Sequence, residues 1–247
     1  MPLNDSQFMR YSRHLLMDDI AESGQQKLLN AHVLIVGMGG LGCPVSLYLA
    51  AAGIGQLSLC DGDTVDPTNL QRQVLYTEDD GGKSKVDCAQ TRLNALNADT
   101  KIHIHNEKLN SQILANGYDL VVDCTANLAA RQHLNSHRVS HKIPFVSASA
   151  LGWEGQLIAF DFASNDQLCL NCIIDKDSAE PIMNCGNSGV VGPVLGAVGS
   201  LQATTVIRIL LGYFNQHGQI QRYDGKNGQW LGLLAEANQH CVICGTQ

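Results

Sequence analysis

Short apolar runs alternate with amphipathic segments over the first 150 residues of this chain. Residues 33–36 read VLIV, a continuous apolar run typical of a strand buried on both faces, and a second such run ends at Cys60. The same pattern predicts further strands and intervening helices at 83–96, 101–105, 119–123, 128–141 and 143–149. Strands that alternate with helices indicate an α/β fold built on a doubly wound, mainly parallel sheet.

The pattern changes towards both ends of the chain. The first 30 residues predict one or two polar helices. Beyond residue 150, the sequences GQLIAFDF, IQRYDG and GQWLGLL resemble hairpin strands, so we expect antiparallel strands that extend the sheet. Residues 164–189 show no strong periodicity and predict a long loop of the functional or mobile kind.

The composition is that of a globular protein, with 45% hydrophobic and 16% charged residues among 247. A net charge of −7 without a long basic run argues against binding to nucleic acid or to an anionic membrane. The most apolar span, 190–213, contains Gln202, Thr204 and Arg208, which favours a buried helix over a membrane span. The first residues contain no apolar signal segment, so we expect a cytoplasmic location.

A glycine pattern lies between the first strand and the helix that follows it. The sequence reads Gly37-x-Gly39-x-x-Gly42, and Asp61 ends the next strand about 20 residues later. The glycines let backbone N–H groups approach an anion at the positive end of the helix, and the aspartate suits ribose hydroxyls. This Rossmann-like pattern predicts a bound nucleotide and, taken alone, favours NAD or FAD. A glycine-rich turn without a ligand is the alternative.

A polar loop that carries cations follows Asp61. Arg72 in NLQRQ and Lys85 in GGKSK are both placed to reach the phosphates of a bound nucleotide. Phosphoryl or nucleotidyl transfer needs such cations, because negative charge grows on the leaving group. The GGKS sequence is not a Walker loop, since no buried strand precedes it. Taken singly, each cation is equally compatible with a solvated polar loop.

Four of the nine cysteines form two pairs with Cys-x-x-Cys spacing, Cys169 with Cys172 and Cys241 with Cys244. Each pair can place two thiolates on one side of a tetrahedral metal, so together they predict a Cys₄ zinc site. Four protein ligands leave no open position, which makes the site structural. Two redox pairs or a chance spacing are the alternatives. Other cysteines lie on apolar stretches and are expected in the core: Cys43, Cys60, Cys88 and Cys124.

Several segments occur in the order found in one enzyme family. They are the glycine pattern at 37–42, CDGDTVDPTNLQRQ, GKSK, DCTAN, SASALGWEGQL, NCGNSGVVGPVLG and the two cysteine pairs. By these segments the chain resembles the ThiF/MoeB family, the bacterial relatives of ubiquitin-activating enzymes, over essentially its whole length. The sequences NCGNSGVVGPV and YDGKNGQW are more similar to the ThiF branch, of thiamine biosynthesis, than to the MoeB branch, of molybdopterin synthesis.

The resemblance implies an adenylyltransferase that uses ATP rather than NAD, with Mg²⁺ and Zn²⁺ as metals. The C-terminal glycine of a ubiquitin-like sulfur carrier protein, ThiS in this branch, would be adenylated with release of pyrophosphate. A sulfur donor protein would then displace AMP. We expect a homodimer, and a single domain over 1–247 with N-terminal helices in 1–30, a nucleotide-binding part in 31–150 and a carrier- and zinc-binding part in 151–247. A MoeB-type carrier, or a silent nucleotide-binding scaffold, is the alternative.

The resemblance also implies roles for individual residues. Arg13 would reach the ATP site of the partner subunit, and Cys185 would form a covalent sulfur intermediate, although an incidental cysteine is the alternative. Asp61 would bind the ribose, and three residues would contact the phosphates: Asn69, Arg72 and Lys85. The positions implied to bind the nucleotide are Gly37, Gly39, Gly40, Gly42, Asp61, Asp63, Asn69, Arg72, Gln73, Lys85 and Asn127.

One position departs from the family pattern. In the segment DCTAN, Ala126 stands where the family has an aspartate that helps to hold Mg²⁺ at the triphosphate. Loss of that ligand predicts a chain that binds ATP but turns over slowly, whether the alanine is natural or introduced. Asp63, Asp123 or Asn127 is a candidate to replace the ligand in part.

Overall fold

The fold is that of a computed structural model, which describes residues 2–161, 168–174 and 189–245. Its α-helices are α1 (Asp5–Arg10), α2 (Ser12–Leu15), α3 (Ala21–Asn30), α4 (Gly42–Ala52), α5 (Lys85–Leu96), α6 (Ser111–Leu114), α7 (Leu128–His141) and α8 (Gly192–Leu211). Its strands are β1 (His32–Val36), β2 (Gln56–Cys60), β3 (Lys101–His105), β4 (Leu120–Asp123), β5 (Phe145–Leu151), β6 (Glu154–Phe160), β7 (Gln219–Asp224) and β8 (Gln229–Leu234). Single 3₁₀ turns occur at Pro67–Asn69, Glu78–Asp80 and Leu170–Cys172.

All these strands form one sheet in the order β3-β2-β1-β4-β5-β6-β7-β8. Neighbouring strands from β3 to β5 are parallel, and those from β5 to β8 are antiparallel. The predicted doubly wound sheet with an antiparallel extension is therefore confirmed. The strand order reverses between β1 and β4, and the carboxyl ends of strands at such a point form the crevice where α/β proteins bind ligands.

Helices cover both faces of the parallel strands, which explains their continuous apolar runs. In β1, Val33 and Ile35 belong to a buried cluster with side chains of α4 and α8. Leu34 and Val36 belong to a second cluster with side chains of α6 and α7. A strand buried on both sides needs apolar residues at every position.

The helix α8 is long and apolar enough to cross a membrane by length and composition. In the structure it packs against α4, β5 and β6, and 56% of its most apolar stretch is buried. Gln202 within it is fully buried, and its Nε2 donates a hydrogen bond to the Asp123 carbonyl oxygen at 3.0 Å. These are the contacts of a core helix, as the polar residues within the span predict.

Most predicted boundaries agree with the structure within a few residues. The helix predicted at 83–96 begins at Lys85, because Ser84 acts as its N-cap and accepts a hydrogen bond from the Asp87 N–H. The first 30 residues were predicted to form one or two polar helices, and within residues 2–30 the structure has three, α1 to α3. Most of the loop predicted at 164–189 lies outside the described residues. The cysteines predicted to fill the core are all buried: Cys43, Cys60, Cys88 and Cys124.

Candidate functional site

The crevice beside β1 and β4 contains a cavity of about 270 Å³. Most residues predicted to bind the nucleotide line it: Gly37, Gly39, Gly40, Asp61, Asp63, Asn69, Arg72, Gln73 and Lys85. Ala126 lines it as well. The cavity therefore joins the turn after β1, the loop after β2 and the segment after β4, which are far apart in the sequence.

A second cavity, of about 450 Å³, shares a wall with the first. Asn127, which was predicted to bind the nucleotide, lines this second cavity and not the first. Four residues line both: Gly37, Asp61, Asp63 and Thr125. The second cavity has a partly apolar wall, with Val36, Leu109, Ala129 and Ala130. The pair of cavities suits a ligand with an anionic part and a flat, less polar part.

Backbone geometry requires glycine at two positions of the turn after β1. Gly37 has a φ of +93°, and a Cβ atom there would lie 2.7 Å from the carbonyl oxygen of Cys124. At Gly42 a Cβ atom would lie 2.0 Å from the carbonyl oxygen of Gly37. Gly42 lines neither cavity, and in the structure it lets α4 begin against the turn. Its contact with a nucleotide stays a prediction.

Asp61 holds the glycine-rich turn in place. Its Oδ2 accepts a hydrogen bond from the Met38 N–H at 2.7 Å, and its Oδ1 accepts one from the Asp63 N–H at 2.8 Å. Each carboxylate oxygen has a second lone pair, so Asp61 can accept ribose hydroxyls as well. The residue therefore links the end of β2 to the turn while it faces both cavities.

Two cations reach the first cavity from different directions. Lys85 is buried at the start of α5, and its Nζ donates to Asp63 Oδ2 at 3.1 Å. Arg72 lies in the polar loop, and its Nη2 donates to Asn69 Oδ1 at 2.6 Å. Because the Asp63 side chain is 70% exposed, an anion in the cavity can replace it as the partner of Lys85.

Gln73 lines the same cavity and is 5% exposed. Its Oε1 atom has no hydrogen-bond partner among the residues that the structure describes. An unpaired buried acceptor costs about 1–3 kcal/mol of folding free energy. A ligand or a water molecule in the cavity that donates a hydrogen bond to this oxygen would therefore bind favourably.

A buried ion pair that the sequence pattern did not predict lies beneath the cavity. Asp123 is fully buried, and its Oδ2 accepts hydrogen bonds from Arg131 Nε at 2.6 Å and Ser147 Oγ at 2.7 Å. Its Oδ1 accepts from the N–H and the hydroxyl of Thr125. Arg131 lines the cavity, and its Nη2 also donates to the carbonyl oxygens of Thr125 and Ala148. The available signal was an arginine one turn into the helix that follows the DCTAN segment.

This hydrogen-bond network determines which side chains could replace the magnesium-binding carboxylate that Ala126 lacks. The idea that Asp123 replaces it is wrong, because both oxygens of its carboxylate are taken by the buried network. The Oδ1 of Asn127 caps α7 and accepts from two backbone N–H groups in its first turn. Of the three candidates, Asp63 keeps an exposed carboxylate at the cavity.

The predicted catalytic roles of Arg13 and Cys185 stay predictions. Arg13 is exposed on α2 and lines neither cavity. Its predicted role requires a second copy of the chain and stays a prediction. Cys185 lies outside the described residues.

The two cysteine pairs come together in the structure. Their Sγ atoms all lie within 4.8 Å of one another: Cys169, Cys172, Cys241 and Cys244. Tetrahedral zinc with Zn–S bonds of about 2.3 Å spaces its sulfur atoms by about 3.8 Å. The distances of 3.7 Å from Cys169 to Cys241 and 3.4 Å from Cys172 to Cys244 are close to this value, so the four residues fit zinc.

One thiol of the second pair, that of Cys241, favours the thiolate form that metals bind, whereas burial raises the pKa of Cys244 and of Cys169. Burial alone raises the pKa of Cys241, but hydrogen bonds from the backbone N–H groups of Cys244 and Ile243 outweigh burial and lower this pKa to about 7. A thiol with this pKa is about half ionised at neutral pH before a metal binds.

Comparison with known proteins gives a consistent result. A family model described as the ThiF family matches residues 11–243. The sulfur carrier protein ThiS adenylyltransferase of Escherichia coli (strain K12) is 44% identical over 246 residues, covering 98% of this chain and 97% of that protein. The adenylyltransferase and sulfurtransferase MOCS3 of Drosophila willistoni is 40% identical over 252 residues, covering 99% of this chain and 55% of that protein. The chain thus spans about half the length of that relative.

Solved structures share the fold. A crystal structure of MccB from E. coli superposes with a TM-score of 0.83 at 24% identity, covering 99% of this chain and 74% of that chain. The microcin C7 biosynthetic enzyme MccB, in complex with N-formylated MccA, superposes with a TM-score of 0.82 at 25% identity, covering 96% of this chain and 75% of that chain. The eight-stranded arrangement is therefore one that known proteins adopt.

Proposed function

We propose, from the premise that this chain belongs to the ThiF family, that it uses ATP to adenylate the C-terminal glycine of a ubiquitin-like sulfur carrier protein. Adenylation is supported by two relatives of 44% and 40% identity, both named adenylyltransferases. We propose a ThiS-type carrier and a role in thiamine thiazole biosynthesis. The observation that carries the proposal is the cavity that brings together the glycine-rich turn, Asp61, Arg72 and Lys85.

The two adjoining cavities suit the parts of ATP. The triphosphate would lie in the first cavity, against the backbone of the glycine-rich turn and the cations Arg72 and Lys85. Asp61 is on the shared wall, where it would accept hydrogen bonds from the ribose hydroxyls. The adenine ring would lie in the second cavity, against its apolar wall.

The reaction needs positioning and charge neutralisation more than it needs acid–base catalysis. A carrier C-terminal carboxylate is already ionised at neutral pH, and it attacks the α-phosphorus as the bond to pyrophosphate breaks. Negative charge grows on the leaving pyrophosphate, where Lys85 and Arg72 would neutralise it. On ATP binding, Lys85 would exchange the Asp63 carboxylate for a phosphate oxygen.

The residues present partly fit a magnesium ion at the triphosphate. Bound Mg²⁺ would act as a Lewis acid that stabilises the growing negative charge. Asp63 would hold it, because its carboxylate is exposed and lies at the cavity beside Lys85. Ala126 also lines the cavity, but its methyl group offers no ligand atom. We therefore infer that this chain binds ATP but turns over slowly.

An exposed apolar strand supports a protein as the second substrate. Every residue of β8, the last strand of the sheet, is exposed. Four are large and hydrophobic: Trp230, Leu231, Leu233 and Leu234. An edge strand has unpaired backbone groups that can pair with a strand of another protein. Gly225 at the turn before β8 lies against Val194, next to the cavity residue Leu195, and we propose that the tail of a carrier bound at β8 runs past this turn to the cavity.

An apolar surface near Arg13 supports a homodimer. Four large side chains of the N-terminal helices and their loops are at least half exposed: Phe8, Met9, Leu16 and Met17. A second copy that covers this surface would bury these side chains and could bring Arg13 to the partner's ATP site. We propose that a separate sulfur donor protein acts on the adenylated carrier.

ATP–pyrophosphate exchange with purified ThiS tests the proposed function. We expect exchange that depends on ThiS and falls at least tenfold (about 1.4 kcal/mol) in Lys85→Met, because the growing charge loses a cation. Lys83→Met is the matched control, since Lys83 is exposed and does not line the cavity.

Other outcomes identify the alternatives. Exchange with the small subunit of molybdopterin synthase, but not with ThiS, would indicate a MoeB-type enzyme. Binding of ATP without exchange, in this chain and in Ala126→Asp, would indicate a scaffold. Binding of NAD without binding of ATP would overturn the proposal.

A further inference from the structure

A buried polar cluster lies outside the nucleotide cavities, where α7 meets the first cysteine pair. Asn135 on α7 is fully buried. Its Nδ2 lies 3.5 Å from the Sγ of Cys169 and 2.8 Å from Asn171 Oδ1. Its Oδ1 accepts a hydrogen bond from the Leu170 N–H at 3.0 Å. One side chain therefore holds both the thiol and the backbone of the cysteine turn.

Arg138, one turn further along α7, is 1% exposed. Its Nε donates to Asn135 Oδ1 at 3.2 Å, and its Nη2 donates to the Leu168 carbonyl oxygen at 3.1 Å. The guanidinium carbon lies 4.2 Å from the centroid of the Phe160 ring. Arg138 therefore reaches the first cysteine pair in two ways: through Asn135, which contacts Cys169, and through the carbonyl group of Leu168, the residue before Cys169.

The charges of this arginine and of a zinc centre are complementary. Four thiolates around Zn²⁺ carry more negative than positive charge, and a buried charge is costly unless an opposite charge lies nearby. N–H groups that donate to ligand sulfur atoms fix the orientation of the ligands and reduce the charge on them. Arg138 and Asn135 offer both interactions from one face of α7.

We propose that Asn135 and Arg138 are positioning residues of the zinc centre. Asn135 orients Cys169 through an N–H···S hydrogen bond, and Arg138 neutralises part of the thiolate charge. The same helix carries Arg131, which lines the nucleotide cavity one turn before Asn135. The zinc centre thereby anchors the helix that forms part of the nucleotide site.

Zinc release from the whole protein to the chromophoric chelator 4-(2-pyridylazo)resorcinol tests this proposal. Arg138→Met keeps an unbranched chain but removes the charge, whereas Arg138→Lys keeps the charge. We expect zinc release to be about 10–100 times faster in Arg138→Met than in the parent, and clearly slower in Arg138→Lys than in Arg138→Met, because lysine keeps the charge although it loses the planar group. Arg208→Met is the control, because Arg208 also lies near a ring, that of Phe214, and donates to residues 215 and 216 instead.

Equal zinc-release rates for the two Arg138 variants would overturn the role of charge, because a side chain that only fills space could be replaced by methionine or lysine with the same effect. Protein that binds no zinc would overturn the proposal as a whole. If Arg138→Met does not fold, the Co²⁺-substituted Asn135→Ala variant provides a second test. We expect its sulfur-to-cobalt charge-transfer band to shift from that of the parent, because Cys169 loses a donor. An unchanged spectrum would overturn the role of Asn135.

Discussion

Replacing Arg131 by methionine should remove a large part of the stability of this protein. The substitution keeps an unbranched side chain but removes the positive charge. Asp123 is fully buried, and Arg131 is 6% exposed, so the carboxylate would remain in a low-dielectric site without its cation. Loss of one partner from a buried ion pair typically costs about 3–5 kcal/mol.

The hydrogen bonds of Arg131 support a value in this range. The methionine variant loses three of them, to Asp123 Oδ2 and to the carbonyl oxygens of Thr125 and Ala148. The two carbonyl groups would lose a charged donor, which costs more than the loss of a neutral one. In a chain of this size, each kcal/mol lowers Tm by about 2–4 °C, so we expect Tm to fall by roughly 10 °C.

Urea unfolding followed by circular dichroism measures the free energy of unfolding of each variant. Arg222→Met is the matched control, because the Arg222–Glu154 pair has side chains that are 53% and 67% exposed. We expect this exposed pair to contribute at most about 1 kcal/mol. A loss in Arg131→Met no larger than that of the control would refute the reasoning.

Three further predictions concern activity, assembly and metal. Ala126→Asp should raise carrier-dependent pyrophosphate exchange at least tenfold (about 1.4 kcal/mol), because it restores a carboxylate at the cavity. The Kd of ATP should change little. Unchanged exchange would contradict the magnesium site. Mixing Arg13→Ala subunits with Lys85→Ala subunits should recover activity, since each mixed dimer would contain one intact site, and no recovery would count against a shared site. Elemental analysis should find about one zinc per chain, and chelation should lower Tm, because structural zinc contributes folding free energy; a metal-free protein with the same Tm would argue against the Cys₄ centre.

The fold class and most of the nucleotide cavity could be predicted from the sequence, because their determinants are local. A continuous apolar run such as residues 33–36 indicates a strand buried on both faces, whatever its neighbours are. Gly37 marks a turn because other residues rarely adopt a φ of +93°. The Cys-x-x-Cys spacing is likewise local, because each pair of cysteines lies within four consecutive residues. These features determined the sheet, the turn at its switch point and the composition of the zinc cluster.

Only the tertiary structure decided which polar side chains remain available to bind a ligand. Asp123 ends a strand, Asn127 and Asp63 follow strands of the same sheet, and all three are alike as candidate metal ligands in the sequence. In the structure the first is paired with Arg131, the second caps α7, and the third stays exposed beside Lys85. A hydrogen bond or an ion pair depends on partners that packing brings from other elements. The local pattern of apolar and polar residues carries no information about those partners.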